Sequence, residues 1–124
     1  MSERTILYIE DNEYNRKIVR QLLGRTSYQL VEAVDGESGV AMAQQLVPQL
    51  ILMDVQLPKM SGLDATRALK ADPRTSDIPI IVITSFALSG DREKAARAGA
   101  DNYLAKPYSP RELLALVRQY LPET

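Results

Sequence analysis

The chain has 124 residues, of which 45% are hydrophobic and 25% charged, as in an ordinary soluble globular domain. Its formal net charge of −1 gives no general attraction for nucleic acid or for an anionic membrane. Cys and His are both absent, which excludes disulfides, thiol nucleophiles, zinc–cysteine sites and the usual general base. No signal peptide or membrane-length apolar run is present, so we expect a cytoplasmic protein whose chemistry rests on carboxylates, hydroxyls, lysine or arginine.

Five segments rich in apolar and β-branched residues predict strands, at 5–9, 28–34, 50–54, 79–84 and 102–105. Helical spacing, N-cap residues and Gly or Pro stops predict helices at 12–23, 39–46, 61–71, 89–98 and 109–121. The first helix would have one apolar face, formed by Ile18, Val19, Leu22 and Leu23. In the second helix Val40, Ala43 and Val47 would point inward.

The alternation of five strands with five helices predicts an α/β fold, in which helices cover both faces of a parallel sheet. The expected architecture is a flavodoxin-like, doubly wound (βα)5 domain with strand order 2-1-3-4-5. No linker, repeat or low-complexity segment divides the sequence, so residues 1–124 are expected to form one domain. In this strand order the first and third strands are neighbours, and ligands bind outside their carboxyl ends.

Acidic residues stand at the ends of those two strands. The central apolar run 50–53 ends in Asp54, and an unpaired carboxylate is costly where water is excluded. Asp54 should therefore face a crevice, which Glu10 and Asp11 reach from the first strand. Three close carboxylates repel one another, and a hard divalent cation such as Mg2+ relieves that repulsion.

Two further polar residues, Thr84 and Lys106, end the next two strands and would line the same crevice. A divalent cation, an ammonium and a hydroxyl directed at one carboxylate are suited to stabilising a phosphoryl group on Asp54. Because the chain has no His with which to phosphorylate itself, the phosphoryl donor is expected to be external.

At these positions the sequence resembles the receiver domains of response regulators, the CheY-like family. The resemblance extends from Thr5 to Leu121, essentially the whole chain. The motifs that carry it are Glu10-Asp11, Asp54 within MDVQLPKMSG, Thr84 within IVITS, and Lys106-Pro107. The Ile-Glu-Asp-Asn start and the Thr-Ser-Phe-Ala segment are similar to the stand-alone receivers of the DivK-like group.

The resemblance implies two-component signalling, in which Asp54 accepts phosphate from a sensor histidine kinase or a histidine phosphotransfer protein. The implied ligands of Mg2+ are Asp11, Asp54, the main-chain carbonyl of Gln56, and waters ordered in part by Glu10. Many receivers carry Asp at the position of Glu10. Thr84 and Lys106 would contact phosphoryl oxygens, and the Lys106–Pro107 peptide is expected to be cis.

Switching in the family couples the threonine to an aromatic residue, here Thr84 to Tyr103. The face formed by the fourth helix, the fifth strand and the fifth helix would then change its protein partner. Gln56 and Phe86 flank the water path to the phosphoryl group and are expected to tune dephosphorylation. The resemblance thus implies a regulatory domain, not an enzyme, that takes up a phosphoryl group and loses it again.

The sequence stops at Thr124 directly after the last helix, so we expect no output domain. Output would then go through a downstream effector protein, without direct nucleic-acid or membrane binding. Either a monomer or a phosphorylation-sensitive homodimer would be compatible with this role.

Two other functions stay open. The first is a phosphorylation-independent receiver that acts as a dimerisation scaffold. The second is a Mg2+-dependent phosphatase with an aspartyl nucleophile, which would use similar chemistry. Such enzymes typically carry a second Asp two residues after the nucleophile, and Gln56 stands there in this chain.

Overall fold

The structure, a computed structural model, describes residues 4–85 and 90–122. Five strands and five helices alternate in the order β1 (Thr5–Ile9), α1 (Glu13–Leu23), β2 (Gln29–Ala33), α2 (Gly36–Leu46), β3 (Leu50–Asp54), α3 (Gly62–Ala71), β4 (Ile80–Thr84), α4 (Asp91–Ala98), β5 (Asn102–Ala105) and α5 (Pro110–Tyr120). Four of these helices begin after a side chain that accepts a hydrogen bond from a first-turn amide; the capping residues are Asn12, Asp35, Ser61 and Ser109. None of the described helices is both long and apolar enough to span a bilayer.

The strands form one parallel sheet in the order β2-β1-β3-β4-β5, which confirms the predicted doubly wound fold. Strands β3 and β4 are buried at every residue, as expected for strands covered by helices on both faces. The carboxyl ends of β1, β3, β4 and β5 therefore open at the same edge of the sheet.

Two apolar cores lie on opposite faces of this sheet. Successive residues of a strand point to opposite faces, so Ile6 and Tyr8 join one core while Leu7 and Ile9 join the other. Helices α1 and α5 contribute to the first core, and α2, α3 and α4 contribute to the second. The sheet is thereby fixed between two helical layers, which leaves its carboxyl edge as the place for a site.

Four details of the sequence analysis are corrected by the structure. Val47 does not point inward: it follows α2 with a left-handed φ of 46° and is 45% exposed. Val34 lies beyond β2 and is 50% exposed, because Asp35 directly after it caps α2, which begins at Gly36 and not at 39. Ile18 lies at the rim of the buried face of α1 and is 41% exposed. Ser89, where the fourth helix is predicted to begin, lies outside the described residues.

Candidate functional site

A polar crevice lies at the carboxyl edge of the sheet. Glu10 and Asp11 follow β1, and Asp54 ends β3, which pairs with β1 through Ile9 and Met53. One ligand oxygen from each of the three carboxylates lies within 4.8 Å of the other two. The residues that line the crevice are Glu10, Asp11, Asn12, Asn15, Asp54, Gln56, Ser85 and Lys106. The structure thus brings together the acidic residues that the sequence places at two separate strand ends.

Asp54 is held at the base of the crevice with only 4% of its surface exposed. The Gln56 amide donates to Asp54 Oδ1 at 3.4 Å, and the Lys106 Nζ lies 3.8 Å from the same oxygen. The loop after β3 folds back toward the end of this strand, and the Gly62 amide donates to the Val55 carbonyl at 2.8 Å. A Cβ on Gly62 would lie 2.0 Å from the Asp54 carbonyl oxygen, so only glycine allows this approach.

Lys106 enters the crevice from the end of β5. Its amide donates to the Thr84 carbonyl at 2.7 Å, and the peptide bond between Lys106 and Pro107 is cis. The ammonium of Lys106 lies 3.2 Å from Glu10 Oε1, closer than its 3.8 Å distance to Asp54. Its positive charge is therefore shared by two buried carboxylates.

Glu10, 1% exposed, lies at the centre of the hydrogen bonds in the crevice. Its Oε1 accepts from the Tyr8 hydroxyl at 3.0 Å and from Asn15 Nδ2 at 3.4 Å, besides the contact with Lys106. Its Oε2 accepts from the Asn12 amide at 3.3 Å. The long side chain of Glu10 is thus held at both oxygens.

The pKa values of the two buried carboxyls, Asp54 and Glu10, are shifted in opposite directions. Burial raises the pKa of Asp54 to about 7, and hydrogen bonding and repulsion from Glu10 act in the same direction, while Lys106 opposes them. Burial alone would also raise the pKa of Glu10, but its hydrogen bond with Asp54 and the charge of Lys106 outweigh burial, and the pKa is lowered. Burial and the charge of Glu10 raise the pKa of the Tyr8 hydroxyl, so Tyr8 remains a donor. Near neutral pH the pair therefore holds Glu10 ionised and Asp54 partly protonated.

Two of the remaining predicted site residues, Thr84 and Tyr103, lie on β4 and β5. Thr84, 3% exposed, ends β4, and the described wall of the crevice beside it is formed by Ser85. Ser85 Oγ lies 3.2 Å from Gln56 Oε1 and donates to it. Tyr103 lies on β5 with the guanidinium of Arg92 5.1 Å above its ring. Phe86 lies outside the described residues.

Several crevice residues are absent from the sequence prediction. Asn12, Asn15 and Ser85 line the crevice, yet each resembles an ordinary cap or loop residue in the sequence. In the sequence Tyr8 resembles a core residue, because it stands within an apolar strand segment. The period-two spacing of Tyr8 and Glu10 is the one sequence signal that places these two side chains on the same face.

Comparisons with known proteins give matches over nearly the whole chain. The family model of the response regulator receiver domain matches residues 6–118. The polar-differentiation response regulator DivK of Brucella anthropi is 36% identical over 118 residues, which are 95% of this chain and 96% of that protein.

Solved structures give the same result. The receiver domain of a sensor histidine kinase from Pseudomonas aeruginosa has a magnesium ion coordinated in its active-site cleft. It is 34% identical with a TM-score of 0.89, over 98% of this chain and 100% of that one. The chemotaxis protein CheY4 of Vibrio cholerae is 25% identical with a TM-score of 0.89, over 96% of this chain and 99% of that one. These matches span every strand end that contributes to the crevice.

Proposed function

Because the chain belongs to the response-regulator receiver family, which is regulatory and not enzymatic in the usual sense, we propose that Asp54 accepts a phosphoryl group from an external donor. One observation carries this proposal. The nearly buried Asp54 carboxylate lies 3.8 Å from the Lys106 ammonium, in a crevice where the ligand oxygens of Glu10, Asp11 and Asp54 lie within 4.8 Å of one another. A carboxylate nucleophile with fixed charges around it is what phosphoryl transfer requires.

The donor set of the crevice fits Mg2+. Three carboxylates face one ammonium, and the excess of negative charge favours a hard cation with oxygen ligands. Asp11 and Asp54 would bind the ion directly together with the main-chain carbonyl of Gln56, and Glu10 would hold its waters. When bound, Mg2+ neutralises charge on the transferred phosphoryl group. The magnesium-containing receiver from Pseudomonas aeruginosa supports this choice of metal.

The transfer itself requires the ionised form of Asp54. An oxygen of Asp54 forms a bond to phosphorus while the bond between phosphorus and a donor histidine nitrogen breaks, and the nitrogen keeps the electron pair. Lys106 would then pair with a phosphoryl oxygen, and the hydroxyl of Thr84 would donate to another. The donor would be a sensor histidine kinase or a histidine phosphotransfer protein, as in two-component systems.

The readout would be a change of protein partner at the face formed by α4, β5 and α5. Thr84 pairs with Ala105 at the end of β5, and Tyr103 lies two residues before Ala105 on the same strand. A shift of the Thr84 side chain toward the phosphoryl group would therefore be transmitted to Tyr103 over a short distance. Such a packing change would expose a different surface to an effector protein.

Gln56 would tune the loss of the phosphoryl group. Its side chain lines the crevice and is held by the Ser85 hydroxyl at 3.2 Å, so it can restrict the approach of water to Asp54. The same residue argues against a phosphatase, because a carboxamide does not supply the acid or base that rapid turnover needs.

The test is the intact mass of the protein after incubation with Mg2+ and a small acyl phosphate, beside the Asp54→Asn variant. We expect a gain of one phosphoryl mass in the wild type alone, abolished by a chelator. If the small donor fails, the same measurement is repeated with a phosphorylated histidine phosphotransfer protein. A wild type that stays unmodified with both donors would contradict the proposal and favour the scaffold function.

A further inference from the structure

Tyr8 is an unusual residue for the interior of this sheet. It is the last but one residue of β1 and has 0% of its surface exposed, among the apolar residues of the core formed with α1 and α5. A buried hydroxyl requires a hydrogen-bond partner, and Tyr8 donates to Glu10 Oε1 at 3.0 Å. Residues two apart on a strand share a face, so the phenol reaches Glu10 from within the core.

The Tyr8 hydroxyl is one of three donors to Oε1 of Glu10. Oε1 also contacts Asn15 Nδ2 at 3.4 Å and Lys106 Nζ at 3.2 Å, both of which belong to residues at the crevice. Among these three donors, the Tyr8 hydroxyl makes the shortest contact and comes from the most deeply buried residue. Lys106 would move toward a phosphoryl group, whereas the Tyr8 ring is fixed by packing.

The two oxygens of Glu10 are therefore directed differently. Oε1 faces Tyr8, Asn15 and Lys106, while Oε2 accepts from the Asn12 amide at 3.3 Å at the mouth of the crevice. Of these four donors, one reaches Oε2, which keeps acceptor capacity for water. The Glu10 side chain has three rotatable bonds, so Oε2 keeps this orientation only because Oε1 is held by its hydrogen bonds.

We infer that Tyr8 is a positioning residue for the Mg2+ site, whose hydroxyl fixes the Glu10 carboxylate so that its second oxygen faces the waters of the ion. This inference rests on the proposed Mg2+-dependent function and adds to it a residue that touches neither metal nor phosphate. Outer partners of this kind orient the groups around a metal and alter its affinity when removed.

The first test is Mg2+ affinity measured by titration calorimetry at pH 8 on the full chain. Tyr8→Phe removes only the hydroxyl, and we expect the dissociation constant to rise about tenfold, at the lower end of the effect of such outer partners. The matched control is Tyr28→Phe, because Tyr28 is also buried but donates to the Leu121 carbonyl. The control should change the constant less than about twofold.

A double-mutant cycle separates positioning from a general loss of packing. In a Glu10→Ala background, Tyr8→Phe should leave the Mg2+ dissociation constant unchanged, because the group through which Tyr8 acts is gone. An equal weakening in both backgrounds would overturn the inference, as would tighter or unchanged binding by Tyr8→Phe alone. A wild type that binds no Mg2+ would overturn the proposed function as well.

A second measurement needs no substitution and applies if Tyr8→Phe does not fold. In protein labelled with 13C at the tyrosine Cζ atoms, Mg2+ should shift the Tyr8 resonance with the dissociation constant found by calorimetry. The Tyr28 resonance should stay in place. A Tyr8 resonance that does not respond to Mg2+ would overturn the inference.

Discussion

The raised pKa of Asp54 means that its ionised carboxylate destabilises the metal-free protein. The Asp54→Asn substitution removes this charge while keeping the shape of the side chain. A shift of the pKa from 3.8 to about 7 corresponds to about 4 kcal/mol between the two protonation states. The carboxylate opens onto a crevice that water can enter, which screens about half of that cost. We therefore expect the variant to be more stable by about 2 kcal/mol at pH 8 without metal, or about 8 °C in Tm for a domain of this size.

The sign of the pH dependence follows from the direction of the shift. Since the folded-state pKa of Asp54 is raised, its protonated form favours folding, fully below about pH 4, and this contribution is lost as the pH rises through about 7. The carboxamide that Asp54→Asn introduces does not titrate. The advantage of the variant should therefore be about two-fifths of its full size at pH 5 and reach its full size at pH 8.

The assay is thermal unfolding followed by circular dichroism in a chelator, at pH 5 and at pH 8. Asp77→Asn serves as the matched control, because Asp77 is a carboxylate outside the crevice. Mg2+ at 100 times its dissociation constant should add about 2.7 kcal/mol to the wild type and reverse the order of stability. An Asp54→Asn variant that is no more stable than the wild type at pH 8, or whose advantage does not depend on pH, would refute the reasoning.

Two further substitutions test the loop and the cation of the crevice. Gly62→Ala should lower the free energy of unfolding by about 2–3 kcal/mol in urea titrations, because its Cβ would collide with the Asp54 carbonyl; a loss below about 0.5 kcal/mol would contradict this. Lys106→Met should raise the pKa of Asp54 above about 7, measured by the 13C carboxyl resonance of Asp54, because the ammonium 3.8 Å away favours the charged form. The same variant should bind Mg2+ about tenfold more tightly, since it removes a competing positive charge. Lys94→Met, at an exposed position of α4, should change neither quantity.

The strand ends were predictable because an abrupt change from apolar to charged residues has few explanations in a buried strand. Asp54 follows the apolar run 50–53, and Glu10 follows the apolar segment that ends at Ile9. Parallel alternation of strands and helices then brings these ends to one edge, as the observed strand order confirms. The pattern of apolar and charged residues along the chain was therefore sufficient to predict that Glu10 and Asp54 lie at the same edge of the sheet.

The contacts between distant segments were not predictable in the same way. Gly62 resembles a loop glycine in the sequence, and only the folded chain brings its Cα beside the Asp54 carbonyl. The hydroxyl of Tyr8 has no sequence signature of a polar role. Val47 continues the helical spacing of α2, yet the chain turns into the left-handed region there and exposes the side chain. These details depend on packing across the fold, which a local pattern does not contain.

The position of Asp54 within the sheet has a consequence for hydrogen exchange. Its strand, β3, pairs with β1 on one side and β4 on the other, and all five of its residues are buried. The strand of Tyr103, β5, pairs with β4 alone and is one of the two edge strands of the sheet. Proteins open in units, from weakly protected edges to a core that exchanges only on global unfolding. We therefore expect the amides of β3, the strand of Asp54, to be among the last to exchange, and those of β5, the strand of the proposed readout, to exchange through openings of smaller free energy. Asp54 and Tyr103 thus lie on strands that differ in their expected free energy of opening.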